Sequence, residues 1–324
     1  MAVNSTRHCV VLGFDNTRIL GPGFDLLQAA GHEVVGHQDF DAVEAAANLA
    51  RCSALVVGLQ SVDADLLGQA PNCRVVTRLG VGYENVDLEA AAARGVRVTY
   101  CPDYGVHEVS THAITMMLAM ARNLDSLLAA SRAGKWTRSA MGSIERLQDQ
   151  VLGVLGFGRI GRETAAKARG LGMRVLAHDP AIADDSIAGL GIEPASFDDV
   201  IRQADYISLH LPLAPETRHL IDAQALSRMK PSARIINTAR GGVVDEDALL
   251  AAIREGRIAG AALDVLHTEP PPADHPLLHE PNVIVTPHAA WYSEGAKNDL
   301  FARCAEDVIR VLAGEEPLYP LNTV

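Results

Sequence analysis

The chain has 324 residues, 48% of them hydrophobic and 21% charged, with a formal net charge of −12. That length exceeds one typical core and predicts two domains of ordinary globular composition. The acidic balance works against nonspecific binding to nucleic acid or an anionic membrane, and no apolar run reaches the roughly 20 residues that span a bilayer.

The opening stretch MAVNSTRHCVVLGFDN lacks a basic segment followed by a long apolar core. No signal peptide is expected, and Asn4-Ser5-Thr6 then matches the glycosylation sequon by coincidence. Strand and helix signals alternate from there. Strand-like runs are His8–Leu12, His32–Val35, Ala54–Gly58, Arg74–Thr77 and Val96–Tyr100. Between them lie helical stretches such as Phe24–Ala30, Val43–Ala50 and Val86–Arg94, the last with Asp87 placed to cap it. Such repeats predict a small parallel sheet with helices on both faces. His32-Glu33-Val34-Val35-Gly36-His37 has the look of a metal-binding HExxH helix, but its histidines are five apart on a strand run and could not share one helical face. Arg78-Leu79-Gly80-Val81-Gly82 closes a strand, where free backbone amides could cradle a carboxylate. Pro102 to Gly105 reads as a hinge. After it, Val106–Leu124 is apolar nearly all round, which predicts burial on several sides, at the domain junction and against a second subunit.

A basic, irregular segment around Lys135–Arg146 leads into the most informative stretch, VLGVLGFGRIGRETAAKARGLGMRVLAHD, residues 151–179. A strand from Val151 to Leu155 breaks at Gly156-Phe157-Gly158-Arg159-Ile160-Gly161 and runs on into a helix. Gly156 permits the turn, Gly158 lets a pyrophosphate approach the backbone, and Gly161 lets helix and strand pack closely. The free N–H groups at the helix start favour phosphate. Asp179 stands eighteen residues beyond Gly161, at the end of the next strand Met173–Ala177. A carboxylate there accepts hydrogen bonds from a ribose diol and repels a 2′-phosphate, so the cofactor expected is NAD rather than NADP.

Strand signals at Tyr206–Leu211, Arg234–Thr238, Ile258–Val265 and Val283–Thr286 complete a second doubly wound sheet, with helices at Phe197–Gln203, Asp222–Met229 and Asp245–Glu255. The apolar spacing of Leu300, Phe301, Cys304, Val308 and Leu312 predicts a final helix over Ser293–Ala313, stopped by Gly314. That helix has its natural partner in the first domain, so the nucleotide domain is expected as an insertion.

Three strand ends carry candidate chemistry. The run ending Asn237-Thr238-Ala239-Arg240-Gly241-Gly242 delivers a guanidinium that can hold a carboxylate by two parallel hydrogen bonds, with the glycine pair leaving room for a ligand. Asp264-Val265-Leu266-His267-Thr268-Glu269 and Thr286-Pro287-His288-Ala289-Ala290-Trp291 follow the next two strands. A carboxylate at Glu269 beside His288 would favour the protonated imidazole and fix which ring nitrogen faces a substrate. With a reduced nicotinamide nearby, this is equipment for reducing a 2-keto acid to a 2-hydroxy acid. The sequence offers no GxSxG elbow, P-loop or metal-ligand spacing. The five cysteines (Cys9, Cys52, Cys73, Cys101, Cys304) are scattered and suit free thiols in a reducing cytoplasm.

In order, GFGRIG, HDP, NTARGG, LDVLHTEP and TPHAAW resemble the D-isomer-specific 2-hydroxyacid dehydrogenases over essentially the whole chain. The resemblance implies an α/β fold of two doubly wound parallel-sheet domains. A Rossmann NAD-binding domain over 103–290 would be inserted into a smaller flavodoxin-like substrate domain of 1–102 plus 291–324. It implies Arg240, Glu269 and His288 as catalytic residues. NAD contacts are implied at Val81, Gly156, Gly158, Arg159, Ile160, Gly161, Asp179, Leu211, Pro212, Thr217, Thr238, Ala239, Arg240, Asp264 and His288. Arg78, Leu79, Gly80, Val81, Gly82, Arg240, His288 and Trp291 are the expected substrate contacts, and no metal is expected. Members are typically homodimers built through the nucleotide domain. HAAWYSE is similar to the C-terminal binding protein corepressor branch, which leaves an NAD(H)-gated binding protein as an alternative, and a dehydrogenase of another small anion such as phosphite as a further one. An indole at Trp291 would favour an apolar or sulfur-containing substrate side chain or else only anchor the last helix. Glutamate rather than glutamine at 269 separates the chain from formate dehydrogenases. 3-Phosphoglycerate is expected to fit less well, since Arg78 is the one obvious partner for its phosphate and the chain ends at Val324 without the regulatory domain some of those enzymes carry.

Overall fold

The computed structural model describes residues 7–137 and 142–324; the Asn4-Ser5-Thr6 sequon and part of the basic segment lie outside the described residues. The chain divides into two compact units, Met1–Gly105 with Ser293–Val324, and Val106–Tyr292.

In the first unit, β1 (Cys9–Leu12), β2 (Glu33–Gly36), β3 (Cys52–Val57), β4 (Val75–Arg78) and β5 (Arg97–Thr99) form one parallel sheet in the order β2-β1-β3-β4-β5. This is the flavodoxin-like order. The central strands β1, β3 and β4 are short, mostly apolar runs buried on both faces, as helix-covered parallel strands must be, whereas the edge strand β2 is only partly buried. Asp87 caps α4 (Leu88–Ala93) by accepting a hydrogen bond from the Ala90 N–H at 2.9 Å. The closing helix α12 (Glu294–Ala313) is capped by Ser293 and stopped by Gly314 in the left-handed conformation, φ 84°. It packs on α1 (Pro22–Ala29), where a Cβ on Gly23 would stand 2.3 Å from the Phe301 carbonyl oxygen. Only glycine lets these two backbones approach so closely.

The second unit carries a seven-stranded parallel sheet built from β6 (Val151–Leu155), β7 (Arg174–His178), β8 (Glu193–Pro194), β9 (Tyr206–Leu209), β10 (Arg234–Asn237), β11 (Gly260–Leu263) and β12 (Val283–Val285). Its order is β12-β11-β10-β9-β6-β7-β8, so the strand order reverses at β6 and β9. That switch point is where a doubly wound sheet leaves a crevice at its carboxyl edge. α5 (Val106–Ala121) buries Ala113, Ile114, Met116, Met117 and Met120 against α7 (Arg159–Gly170) and the sheet. Much of its apolar surface is thus buried inside its own unit.

The sequence reading passes over α3 (Ala64–Gln69), α6 (Leu124–Arg132), α8 (Asp184–Ala188) and β8. α6 buries none of its residues, so no core-facing stripe marks it. β8 is two residues long and α8 five, below the length at which periodicity speaks. All five cysteines are free and buried, so none is a surface thiol. Among the described residues no helix is long and apolar enough to cross a membrane.

Candidate active site

The turn between β6 and α7 is shaped by its glycines. Gly156 holds φ at +90°, and a Cβ there would stand 2.5 Å from the His210 carbonyl oxygen. A Cβ on Gly161 would meet the Gly156 carbonyl oxygen at 2.1 Å. A Cβ on Gly158, in contrast, would meet nothing within 4 Å. Gly158 therefore leaves open space at the first turn of a twelve-residue helix, whose backbone donors and dipole suit a phosphate. Asp179 follows β7, and its carboxylate accepts from the Phe157 N–H at 2.7 Å and the Ala181 N–H at 2.9 Å. The acid is tied to the glycine turn itself, and the turn, helix start and carboxylate together fit a dinucleotide. Arg159 and Ile160 begin α7, and Leu211, Pro212 and Thr217 lie in the loop after β9. Thr217 closes that loop by donating to the Pro212 carbonyl oxygen and accepting from the Ala214 N–H. The Thr238 hydroxyl, after β10, is buried with no hydrogen-bond partner in this structure, a group suited to a ligand contact.

His210 lies beside the same turn, hydrogen-bonded to Ser208 Oγ at 2.9 Å. Burial lowers its pKa to about 4, so the ring is neutral at neutral pH. The unfolded chain takes up a proton below about 6.5 that the folded chain refuses until about 4, which removes up to about 3 kcal/mol of stability across that window. The urea midpoint should fall as pH drops from 7 to 5, and His210→Asn should flatten part of that fall. An unchanged pH slope in the variant would assign the loss to other groups.

Arg240, Glu269 and His288 follow β10, β11 and β12, three adjacent strands, so all three emerge at one edge of the sheet. His288 Nδ1 lies 2.6 Å from Glu269 Oε2. The other Glu269 oxygen accepts from the Leu266 N–H at 3.0 Å. Burial alone would raise the Glu269 pKa, but the hydrogen bonds from His288 and Leu266 and the charges of His288 and Arg240 outweigh it and hold the carboxyl below its ordinary range. Glu269 is thus anionic at neutral pH and His288 Nδ1 carries its proton, which turns Nε2 outward; the ring is 43% exposed. Arg240 Nη1 donates to the Ala239 carbonyl oxygen at 2.7 Å, and Asn237 holds the turn by accepting from the Ala239 N–H and donating to the Arg240 carbonyl.

The glycine pair after Arg240 has a different job from the one expected. A Cβ on Gly241 would lie 2.0 Å from the Leu266 carbonyl carbon, and Gly242 faces Leu213. Gly241 thus admits the loop that carries Glu269, and Gly242 admits the Leu213 side chain. That loop is clamped by Glu246, which accepts from the His267 N–H at 2.6 Å and pairs with His275 Nε2 at 3.3 Å. Sequence reading missed Glu246 because an acid in the first turn of a helix, here α11 (Glu246–Arg254), is ordinary.

Asp264, expected at the cofactor, is 2% exposed and its carboxylate is engaged beneath the next turn. It accepts from Thr286 Oγ1 at 2.5 Å, from Ala289 N–H at 2.9 Å and from Ala290 N–H at 2.9 Å. Trp291 stands next in the chain, its ring edge-on to Tyr292 at 5.6 Å.

In the first unit, Arg78–Gly82 leaves the end of β4 through Gly80, whose φ is +134°. The Leu79 N–H donates to the Val57 carbonyl and the Gly80 N–H to the Arg78 carbonyl. Two of the amides expected to be free are therefore used inside the loop, which leaves those of Val81 and Gly82; Val81 is 38% exposed. His32 and His37 flank strand β2, and His37 Nε2 lies 2.8 Å from Asn48 Nδ2, an ordinary structural contact.

Residues 114–290 match the family model for the D-isomer specific 2-hydroxyacid dehydrogenase, NAD binding domain. A D-3-phosphoglycerate dehydrogenase of Mycobacterium leprae is 44% identical over 261 residues, 81% of this chain and 49% of that protein. The chain thus spans about half the length of the curated relatives it matches. Among solved structures, the TT0316 protein from Thermus thermophilus superposes with a TM-score of 0.89 at 32% identity, covering 97% of this chain and 100% of that one. A D-lactate dehydrogenase of Treponema pallidum does so with a TM-score of 0.81 at 26% identity, covering 97% and 99%.

Proposed function

Since the chain belongs to the D-isomer-specific 2-hydroxyacid dehydrogenase family, we propose that it is an NAD-dependent enzyme interconverting a D-2-hydroxy acid and its 2-keto acid. The observation that carries this reading is the 2.6 Å contact between His288 Nδ1 and Glu269 Oε2, beside Arg240. When bound, the nicotinamide supplies or accepts a hydride at substrate C2. His288 Nε2 gives a proton to the carbonyl oxygen as negative charge develops there, and takes it back in the oxidation. Glu269 stabilises the charged ring and fixes its orientation. Arg240 holds the substrate carboxylate through its planar fork. Gly158 and the start of α7 hold the phosphates, and Asp179 the ribose diol.

Asp179→Ala should weaken NADH binding and narrow the preference over NADPH by on the order of tenfold or more, since a carboxylate beside a 2′-phosphate is repelled. Titration of NADH and NADPH by fluorescence measures this, and an unchanged preference would remove Asp179 from the ribose site.

Steady-state oxidation of NADH with a panel of 2-keto acids tests the reaction. The Mycobacterium leprae and Treponema pallidum relatives named above are dehydrogenases, which favours the enzyme over an NAD(H)-gated corepressor-like binding protein; tight NADH binding without turnover on any substrate would reverse that. The panel includes both apolar acids and 3-phosphonooxypyruvate, the keto form of 3-phosphoglycerate. The 44% identity to a D-3-phosphoglycerate dehydrogenase supports including that substrate, which Arg78 alone favours little. Trp291→Ala in the same panel reads whether the indole selects an apolar side chain. For assembly we assign a homodimer through the second unit. α6 buries nothing, Leu124 and Leu128 are exposed, and Trp136 just beyond it is 97% exposed. Light scattering should return the mass of two chains.

A further inference from the structure

His288 is held in an unfavourable backbone conformation, and the structure shows what holds it. Its φ is +51°, in the left-handed region that a non-glycine residue enters at a cost of about 1–3 kcal/mol. The His288 N–H donates to the Asp264 carbonyl at 2.8 Å, and the two amides that follow, Ala289 and Ala290, both donate to the Asp264 carboxylate. The same carboxylate accepts from Thr286 Oγ1, two residues before His288. A hydroxyl has one proton, and Thr286 gives it to Asp264. The 3.0 Å contact between Thr286 Oγ1 and His112 Nε2 must then run the other way, with the imidazole donating. His112 Nε2 also lies 3.6 Å from Asp264 Oδ1, within range of the buried carboxylate. His112 belongs to α5, a helix whose second half is largely apolar, and its side chain is 25% exposed.

We propose that His112 and Thr286 are positioning residues for the proton donor. A chain of donors running from His112 Nε2–H through the Thr286 hydroxyl to the Asp264 carboxylate keeps the 286–290 turn in the conformation that sets His288 against Glu269. Neither residue touches substrate or cofactor; both act through the turn. The inference rests on the assignment of His288 as proton donor for its kinetic readout, but not for its structural one. Without the Thr286 hydroxyl, Asp264 loses one of its donors and the strained turn loses part of what offsets its cost. His288 then samples orientations away from Glu269, and misplacement of a reacting group by about 1 Å costs on the order of a hundredfold in rate.

The test compares Thr286→Val with Thr286→Ser, and His112→Ala with His112→Gln, whose amide retains a donor. In Thr286→Val, kcat should fall on the order of ten- to a hundredfold, with the NADH dissociation constant and substrate KM within about threefold of the parent. Thr286→Ser should restore most of kcat. His112→Ala should lose about tenfold, with partial recovery in His112→Gln. Equal kcat in Thr286→Val and the parent, or a loss that the serine and glutamine variants fail to recover, would overturn the proposal. Proton and nitrogen NMR of the imidazoles supplies a readout that needs no turnover. The Nδ1 proton between His288 and Glu269, assigned by its disappearance in His288→Gln, should broaden or vanish in Thr286→Val and His112→Ala and persist in the two conservative variants. Persistence in all four overturns the proposal even for a protein that reduces no 2-keto acid. His112 should carry its proton on Nε2; a proton on Nδ1 alone would break the chain.

Discussion

His288→Ala should lower the rate of 2-keto acid reduction by on the order of 10³-fold or more, while NADH binds within about twofold of the parent affinity. The ring that holds the proton reaches the site from the end of β12, and its removal leaves the glycine turn, α7 and Asp179 untouched. Cofactor affinity and chemistry therefore separate cleanly in this variant. Glu269→Gln sharpens the same prediction. Glutamine keeps the shape and can still face Nδ1, but it no longer carries the negative charge that favours the protonated ring. Reduction at neutral pH should fall steeply. The lowered pKa of Glu269 gives the sign on the stability side. Its contribution is present above the ordinary carboxyl value and is lost as pH falls through the depressed folded value, a loss that Glu269→Gln should not show. Turnover near the parent level in His288→Ala would remove it as the proton donor. A Glu269→Gln variant that reduces 2-keto acids as fast as the parent would mean that the carboxylate only packs.

The parts of this site that the sequence reveals are those written in one short local stretch. Gly156, Gly158 and Gly161 have spacings that only a strand–turn–helix can use, and the apolar runs on either side identify that unit before any coordinates. Arg240, Glu269 and His288 stand out because each directly follows a short apolar strand, and strand ends in a parallel sheet share one edge. Other features depend on which residues meet across long sequence separations. Gly241 and Gly242 read as room for a ligand, whereas the space is taken by Leu266, His267 and Leu213. Asp264 reads as a cofactor contact, whereas its carboxylate lies under the turn that carries His288. His112 gives almost no signal, since a histidine in an apolar helix is one polar residue among many. The clue available was that a largely buried imidazole requires a hydrogen-bond partner, without any indication of which residue supplies it. The apolar character of α5 shows the same limit. Periodicity reveals that a helix is surrounded, but not that α7 and its own sheet are among what it packs against.

Arg240→Lys keeps the positive charge and should still lower kcat/KM by on the order of a hundredfold. A guanidinium offers two parallel donors to a carboxylate in a fixed plane, while an ammonium offers a point charge on a flexible stem. In this structure the fork is already oriented, because Nη1 donates to the Ala239 carbonyl and Asn237 holds the turn from both sides. A lysine at 240 could reach either that carbonyl or the substrate carboxylate, and would hold neither in one geometry. Losing one charged hydrogen bond while leaving part of a carboxylate unpaired costs about 2–3 kcal/mol, which sets the size of the effect. Most of it should fall on KM for the keto acid. A smaller part should fall on kcat, because Arg240 also contributes to the field at Glu269 and through it to the charged ring of His288. NADH binding should stay within about threefold of the parent. The sharper comparison uses a 2-keto acid and its methyl ester. The parent should strongly prefer the acid, and Arg240→Lys should lose much of that preference, since an ester oxygen cannot accept the second charged bond as well as a carboxylate can. A lysine variant with kcat/KM within about threefold of the parent, or one that keeps the full preference for acid over ester, would show that the carboxylate is held elsewhere.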